Sequence, residues 1–114
     1  MCNLDWAVFK KYSPNKWQDA LDNGYLVTLP DCTAYAIYQI NDEFAEIIYF
    51  EAKEKNKGLG KKLIKVLEKN IKRHNIKYIY LYSVKSSVGF WELMGYQMSY
   101  DDNKETRILS KSVK

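Results

Sequence analysis

The clearest pattern in the chain lies between Gly58 and Arg73. Leu63, Ile64, Leu67 and Ile71 return to one face at helical spacing, an apolar stripe that predicts an amphipathic helix. Lys61, Lys62, Lys65, Glu68, Lys69 and Lys72 fall on the other face, where water is expected. Strand signals flank this helix. Tyr25 to Leu29 is rich in β-formers and stops at Pro30 and Asp31. Thr33 to Ile40 and Glu43 to Glu51 follow, joined by Asn41 and Asp42 in the manner of an antiparallel hairpin. After the helix, Lys77 to Val84 (KYIYLYSV) alternates β-branched and aromatic residues. Ser87 to Met94 reads as a short helix closed by Gly95. Strands near Tyr96 to Tyr100 and Thr106 to Ser112 then flank a turn at Asp101, Asp102 and Asn103. Upstream the pattern is weaker. Leu4 to Lys10 is a possible first strand, and Ser13 with Pro14 starts a helix that carries Trp17, Ala20 and Leu21 on one face. Asn23 and Gly24 end it.

This order is helix, three strands, long helix, strand, short helix, two strands. A strand, a crossover helix and a further strand imply a parallel pair at the centre of a mixed sheet. An α/β sandwich of one sheet and a few covering helices is expected, as one domain over residues 1–114. There is no internal repeat, low-complexity tract or Gly/Pro/Ser-rich linker.

Composition narrows the chemistry. No window approaches the apolar run of a membrane span, and the N-terminus lacks the basic start and apolar stretch of a signal peptide. A cytoplasmic protein with no membrane partner is the expectation. Cys2 and Cys32 are too few for a disulfide scaffold, and with the single His74 they do not make a zinc site. His74 alone also argues against a Ser-His-Asp or Cys-His nucleophile. It follows Lys72 and Arg73 near a helix end, where a solvated side chain is expected. Net charge is +4, unevenly spread: ten of the eighteen Lys and Arg lie between Lys53 and Lys77, opposed only by Glu54 and Glu68. Such a cluster attracts phosphate, whether on nucleic acid, a membrane or a nucleotide cofactor.

The stretch Lys55-Asn56-Lys57-Gly58-Leu59-Gly60-Lys61-Lys62 joins a strand to the long helix. The first-turn amides of that helix lack internal acceptors, and its dipole makes the end positive. Glycines keep Cβ atoms out of a ligand's way. A pyrophosphate fits this description. A P-loop is excluded because Gly60 and Lys61 are followed by Lys62, not Ser or Thr. A Rossmann fingerprint is excluded because Leu63 stands where its third small residue belongs.

Lys55 to Gly60 resembles motif A of the GNAT acetyltransferase superfamily, Gln/Arg-x-x-Gly-x-Gly/Ala, with Lys55 in place of the usual Gln or Arg. Ser86 to Tyr96 (SSVGFWELMGY) is similar to the family's motif B, a short helix ending in Phe-Tyr-Glu-Lys-x-Gly-Phe. The motifs and the element order together cover roughly residues 33–114. The resemblance implies a mixed, mostly antiparallel sheet with a central splayed parallel pair, and acetyl-coenzyme A as cofactor. It implies that Lys55, Asn56, Lys57, Gly58, Leu59, Gly60, Lys61 and Lys62 surround the pyrophosphate, and that backbone of Ile48 and Phe50 pairs with the pantetheine arm. Ser83 and Ser87 fall near the positions that contact the arm from the other side, where many members have Asn and Ala. Phe90 and Trp91 complete this cofactor set. No metal is implied.

The reaction implied is direct attack of a primary amine on the thioester, with a strand amide meeting the oxyanion. A lysine-like amine is almost fully protonated at neutral pH, so a base is required. Strict alternation places Phe44, Glu46, Ile48 and Phe50 on one face, with Glu46 the lone carboxylate among them. Glu46 is the candidate catalytic base; Glu51 falls on the opposite face. Many members place a Tyr after the Phe of motif B as general acid. Trp91 occupies that position and cannot serve, which leaves Tyr82 or Tyr49 open. Members usually carry two helices before the hairpin as a wall of the acceptor site. The single helix expected here suggests an open groove, suited to a protein side chain or a bulky amine.

Two rivals share these observations. A catalytically silent coenzyme A-binding module uses the same cofactor residues, and Trp91 favours it. A nucleic-acid-binding protein would use the basic helix, but lysines on the solvent face of a surface helix need no such partner. Monomer and homodimer are both open, since an edge strand at Thr106 to Ser112 could pair across a dimer, although its lysine guards against this.

Overall fold

The computed structural model describes residues 22–30, 33–52, 58–100 and 106–113. The strand expected at Leu4 to Lys10 and the body of the helix from Pro14 lie outside these residues. That helix's end is visible at Asp22 and Asn23, which are helical. Six strands follow: β1 (Tyr25–Thr28), β2 (Ala34–Asn41), β3 (Phe44–Ala52), β4 (Tyr78–Val84), β5 (Gln97–Tyr100) and β6 (Thr106–Ser112). Helix α1 (Leu59–Lys72) connects β3 to β4, and α2 (Val88–Leu93) follows a 3-10 turn over Lys85–Ser87.

The strands form one sheet in the order β1-β2-β3-β4-β6-β5. Among the described strands only β3 and β4 run parallel, as a crossover through α1 requires. The hairpin β2–β3 turns at Asp42 and Glu43, with Asp42 left-handed at φ 56°. Thr106–Ser112 is not an edge: β4 pairs one side of it and β5 the other. Among the described strands the outermost are β1 and β5, because the chain returns from α2 to the outside of the sheet before filling the gap beside β4.

Helices α1 and α2 cover the same face. The α1 stripe, Leu63, Ile64, Leu67 and Ile71, packs in one cluster with Ala34, Ala36, Tyr38, Ala45, Ile47, Ile79, Leu81 and Leu109. Glu68 departs from its expected exposure. Its carboxylate takes a hydrogen bond from the Tyr96 hydroxyl at 2.9 Å and pairs with Lys111 Nζ at 3.1 Å. The Lys111 ammonium also donates to the Met94 carbonyl at 3.0 Å, tying α1, α2 and β6 together. His74 is likewise not merely solvated. It lies 4.7 Å from the Tyr25 ring, and its Nε2 is 2.9 Å from the Tyr38 hydroxyl, which donates to Asn70 Oδ1 at 2.7 Å. Among the described residues, no helix is long and apolar enough to cross a membrane.

Candidate active site

The centre of the sheet parts. Ladder pairing between β3 and β4 runs from Phe44↔Tyr78 to Ile47↔Leu81 and stops there. Beyond it β3 stays on β2 as far as Ala52, and β4 stays on β6 as far as Val84. A wedge opens between two strands whose outer ladders remain intact.

A bulge sits at the vertex. Ile37 pairs with Tyr49 and Tyr38 with Ile47, so Ile48 has no counterpart on β2. The extra residue reverses the alternation expected for this strand. Ala45, Ile47, Phe50 and Ala52 pack toward the helices, while Glu46 occupies the other face. Phe50 therefore does not share Glu46's face. Its ring meets Phe90 at 5.7 Å and Trp91 at 4.9 Å between centroids. Glu51, in turn, comes to the Glu46 side. Its Oε2 accepts from Tyr35 at 2.5 Å and from Tyr49 at 2.9 Å, beneath stacked Tyr35 and Tyr49 rings. Burial first, then the Glu51 contact, pushes the Tyr49 hydroxyl far up, which holds it neutral.

Glu46 is 6% exposed, deep for a carboxylate, in the last rows before the strands part. The Tyr80 hydroxyl donates to its Oε1 at 3.2 Å and accepts from Asn41 Nδ2 at 3.4 Å. Burial, followed by the Glu46 charge, raises the Tyr80 hydroxyl's pKa. The sequence did not single out Tyr80. Its only signal is the parallel register Glu46↔Tyr80, which exists once α1 has crossed over.

Past the wide end of the wedge comes the N-terminus of α1. Gly58 adopts φ 69°, ψ 14°, a conformation that side-chain-bearing residues resist, and a Cβ there would meet nothing within 4 Å. The first helical bond runs from Lys62 N–H to the Gly58 carbonyl, so the amides of Leu59, Gly60 and Lys61 precede it. The first turn contains no acidic residue, and among the described residues no side chain caps it. Lys55, Asn56 and Lys57 lie outside the described residues. Lys61 and Lys62 are exposed, and Leu59 is half-buried. Gly60 has a packing role that the sequence reading did not assign. A Cβ on it would fall 3.0 Å from Phe90 Cε1 and Cζ, so this glycine lets α1 and α2 approach.

On the opposite arm Ser83 is buried, and Ser87, half-buried, precedes α2. Trp91 is enclosed by Phe50, Phe90 and Tyr96, its ring 5.3 Å from that of Tyr96. It belongs to the core cluster.

Residues 2–96 match the Acetyltransferase (GNAT) family. No curated protein matches the sequence. Among solved structures the chain is similar to GCN5 from Tetrahymena, with TM-score 0.74, 12% identity, and coverage of 96% of this chain and 84% of that one. It is similar to a GNAT family acetyltransferase from Elizabethkingia anophelis with acetyl-CoA bound, with TM-score 0.73 and 16% identity over 97% and 92%. The ribosomal-protein-S18-alanine N-acetyltransferase from Escherichia coli gives TM-score 0.65 and 15% identity over 81% and 70%. At these identities the likeness is one of fold, and it agrees with the family match across both motifs: the chain belongs to the acetyltransferase (GNAT) family.

Proposed function

We propose that the chain transfers an acetyl group from acetyl-coenzyme A to a primary amine by direct attack, with Glu46 as the base. The observation that carries this reading is a buried carboxylate at the vertex of the wedge, held by a hydroxyl on the facing strand. The residues present suit the coenzyme. The wedge offers strand edges to an amide-bearing arm, and the first turn of α1 offers open amides with no competing acid. The coenzyme supplies the acetyl group as an activated thioester.

The chain's own residues divide the rest of the work. Gly58 and the amides of Leu59, Gly60 and Lys61 hold the pyrophosphate, with Lys61 and Lys62 adding charge. Backbone of Ile48 and Phe50 pairs with the pantetheine arm, and Ser83 and Ser87 line its other side. Glu46 takes the proton of the attacking amine as the C–N bond forms and the C–S bond breaks. Phe90 and Trp91 act from behind, by packing on Phe50 and Gly60. Trp91 is no general acid; a thiol with pKa near ~8.5 leaves without one.

Two measurements test this together. Acetyl-coenzyme A should stabilise the wild-type protein and Glu46→Gln alike, by about 2.7 kcal/mol at a hundredfold excess over Kd. Transfer to a panel of amines should fall about a hundredfold or more in Glu46→Gln. Stabilisation with no transfer by wild type would identify a silent coenzyme A-binding module, the reading that the enclosed Trp91 favours. Neither effect would sink both.

A further inference from the structure

The sheet face turned away from α1 and α2 is crossed by aligned rows. One runs Gln39, Glu46, Tyr80, Ser110; its neighbours are Phe44, Tyr78, Ser112 on one side and Tyr82, Ile108 on the other. Phe44, Tyr78, Tyr80, Ile108 and Ser110 line a groove of about 440 Å³. That lies within the ~300–1,000 Å³ of small-molecule sites. Its walls are aromatic. Phe44 stacks on Tyr78 at 5.6 Å and 23°, and meets Tyr80 edge-on at 6.2 Å. Phe44 and Tyr78 stay 45% and 41% exposed, a contiguous apolar surface of the kind that marks binding sites. The groove ends at a charge: Tyr80 both lines it and donates its hydroxyl to Glu46.

An aromatic slot with a carboxylate at one end suits an amine at one end of an aromatic body. We propose that this groove seats the acceptor, and that the acceptor is a primary amine on an aromatic or similarly broad apolar group. The ring lies between Phe44, Tyr78 and Ile108, and the nitrogen reaches Glu46 past the Tyr80 hydroxyl. A ring gains from offset or edge contact with Phe44 and Tyr78, whereas a short alkyl chain leaves those faces wet. A polyamine fits worse, because none of the described lining residues carries a negative charge for its distal ammonium. This inference rests on the acetyl-transfer reading above and supplies its substrate class.

The test compares 2-phenylethylamine, ethylamine and spermidine, with acetyl-coenzyme A, in initial-rate assays. Wild type should favour 2-phenylethylamine by about tenfold or more in kcat/KM over each of the others. Tyr78→Ala and Phe44→Ala, both at partly exposed positions, should collapse the ratio of 2-phenylethylamine to ethylamine, with melting curves confirming the fold. Transfer to ethylamine or spermidine without the ring preference, or a ratio that survives both variants, overturns the groove and leaves the acetyl-transfer reading standing. No transfer to any amine overturns the reading and the groove with it.

Discussion

Replacing Gly60 by Ala should destabilise the protein, and Phe90 should be the reason. The added Cβ would stand 3.0 Å from Phe90 Cε1 and Cζ. Carbon contacts are comfortable at about 3.5–4.0 Å, so the ring must retreat by roughly half an ångström or more. It has little room, with Trp91 at 5.1 Å and Phe50 at 5.7 Å between centroids. Overpacking of this kind costs about 1–3 kcal/mol, against a helix-propensity gain of up to about 1 kcal/mol for Ala over Gly. The net loss is about 1 kcal/mol, or roughly 4 °C in Tm for a domain of this size. The assay is urea unfolding of the double-mutant cycle with Phe90→Leu, which removes the two clashing atoms. In that background Gly60→Ala should be neutral or stabilising, giving a coupling of about 1–3 kcal/mol. Equal effects in the two backgrounds would refute the packing role.

Glu68→Ala should lower stability by about 2 kcal/mol in urea unfolding, since it strips the buried Tyr96 hydroxyl and half-buried Lys111 of a charged acceptor. Glu68→Gln, which can still accept from Tyr96, should cost less, and equal costs would count against the hydrogen bond. Alkaline pH gives a further check. Burial first, with help from Tyr25, pushes Tyr38 up to about 12. Its contribution, on the order of 2 kcal/mol, is complete below the free-tyrosine value near ~10 and is lost as pH rises from there through the folded value. Between those limits wild type should lose stability more steeply than Tyr38→Phe; parallel curves would show that Tyr38 titrates normally.

The sequence disclosed the elements and their order because periodicity and turn residues are local signals. The α1 stripe and the β2–β3 hairpin formed where they were expected. What it could not disclose depends on pairing. The bulge at Ile48 has no marker such as glycine, and only the register with β2 reveals that Phe50 and Glu51 have exchanged faces. Glu68 looks like any solvent-face residue until Tyr96 and Lys111 arrive from distant parts of the chain. Trp91 matched a motif position whose usual occupant is polar, and its indole went into the core instead. Tyr80 entered the candidate site only through a parallel register across a crossover.

The parting of β3 from β4 also makes one strand into two environments for hydrogen exchange. Phe44–Ile47 is laddered on both sides, whereas Tyr49–Ala52 has ladder neighbours on β2 alone and the bulged Ile48 has none in either register. Opening the first stretch requires the centre of the sheet to fail, but the second can open with its outer hairpin. Amide protection should therefore step down along β3 at the bulge, within a single strand. A molecule that fills the wedge and takes up its inner edges should erase that step, so the end of β3 records occupancy without any label.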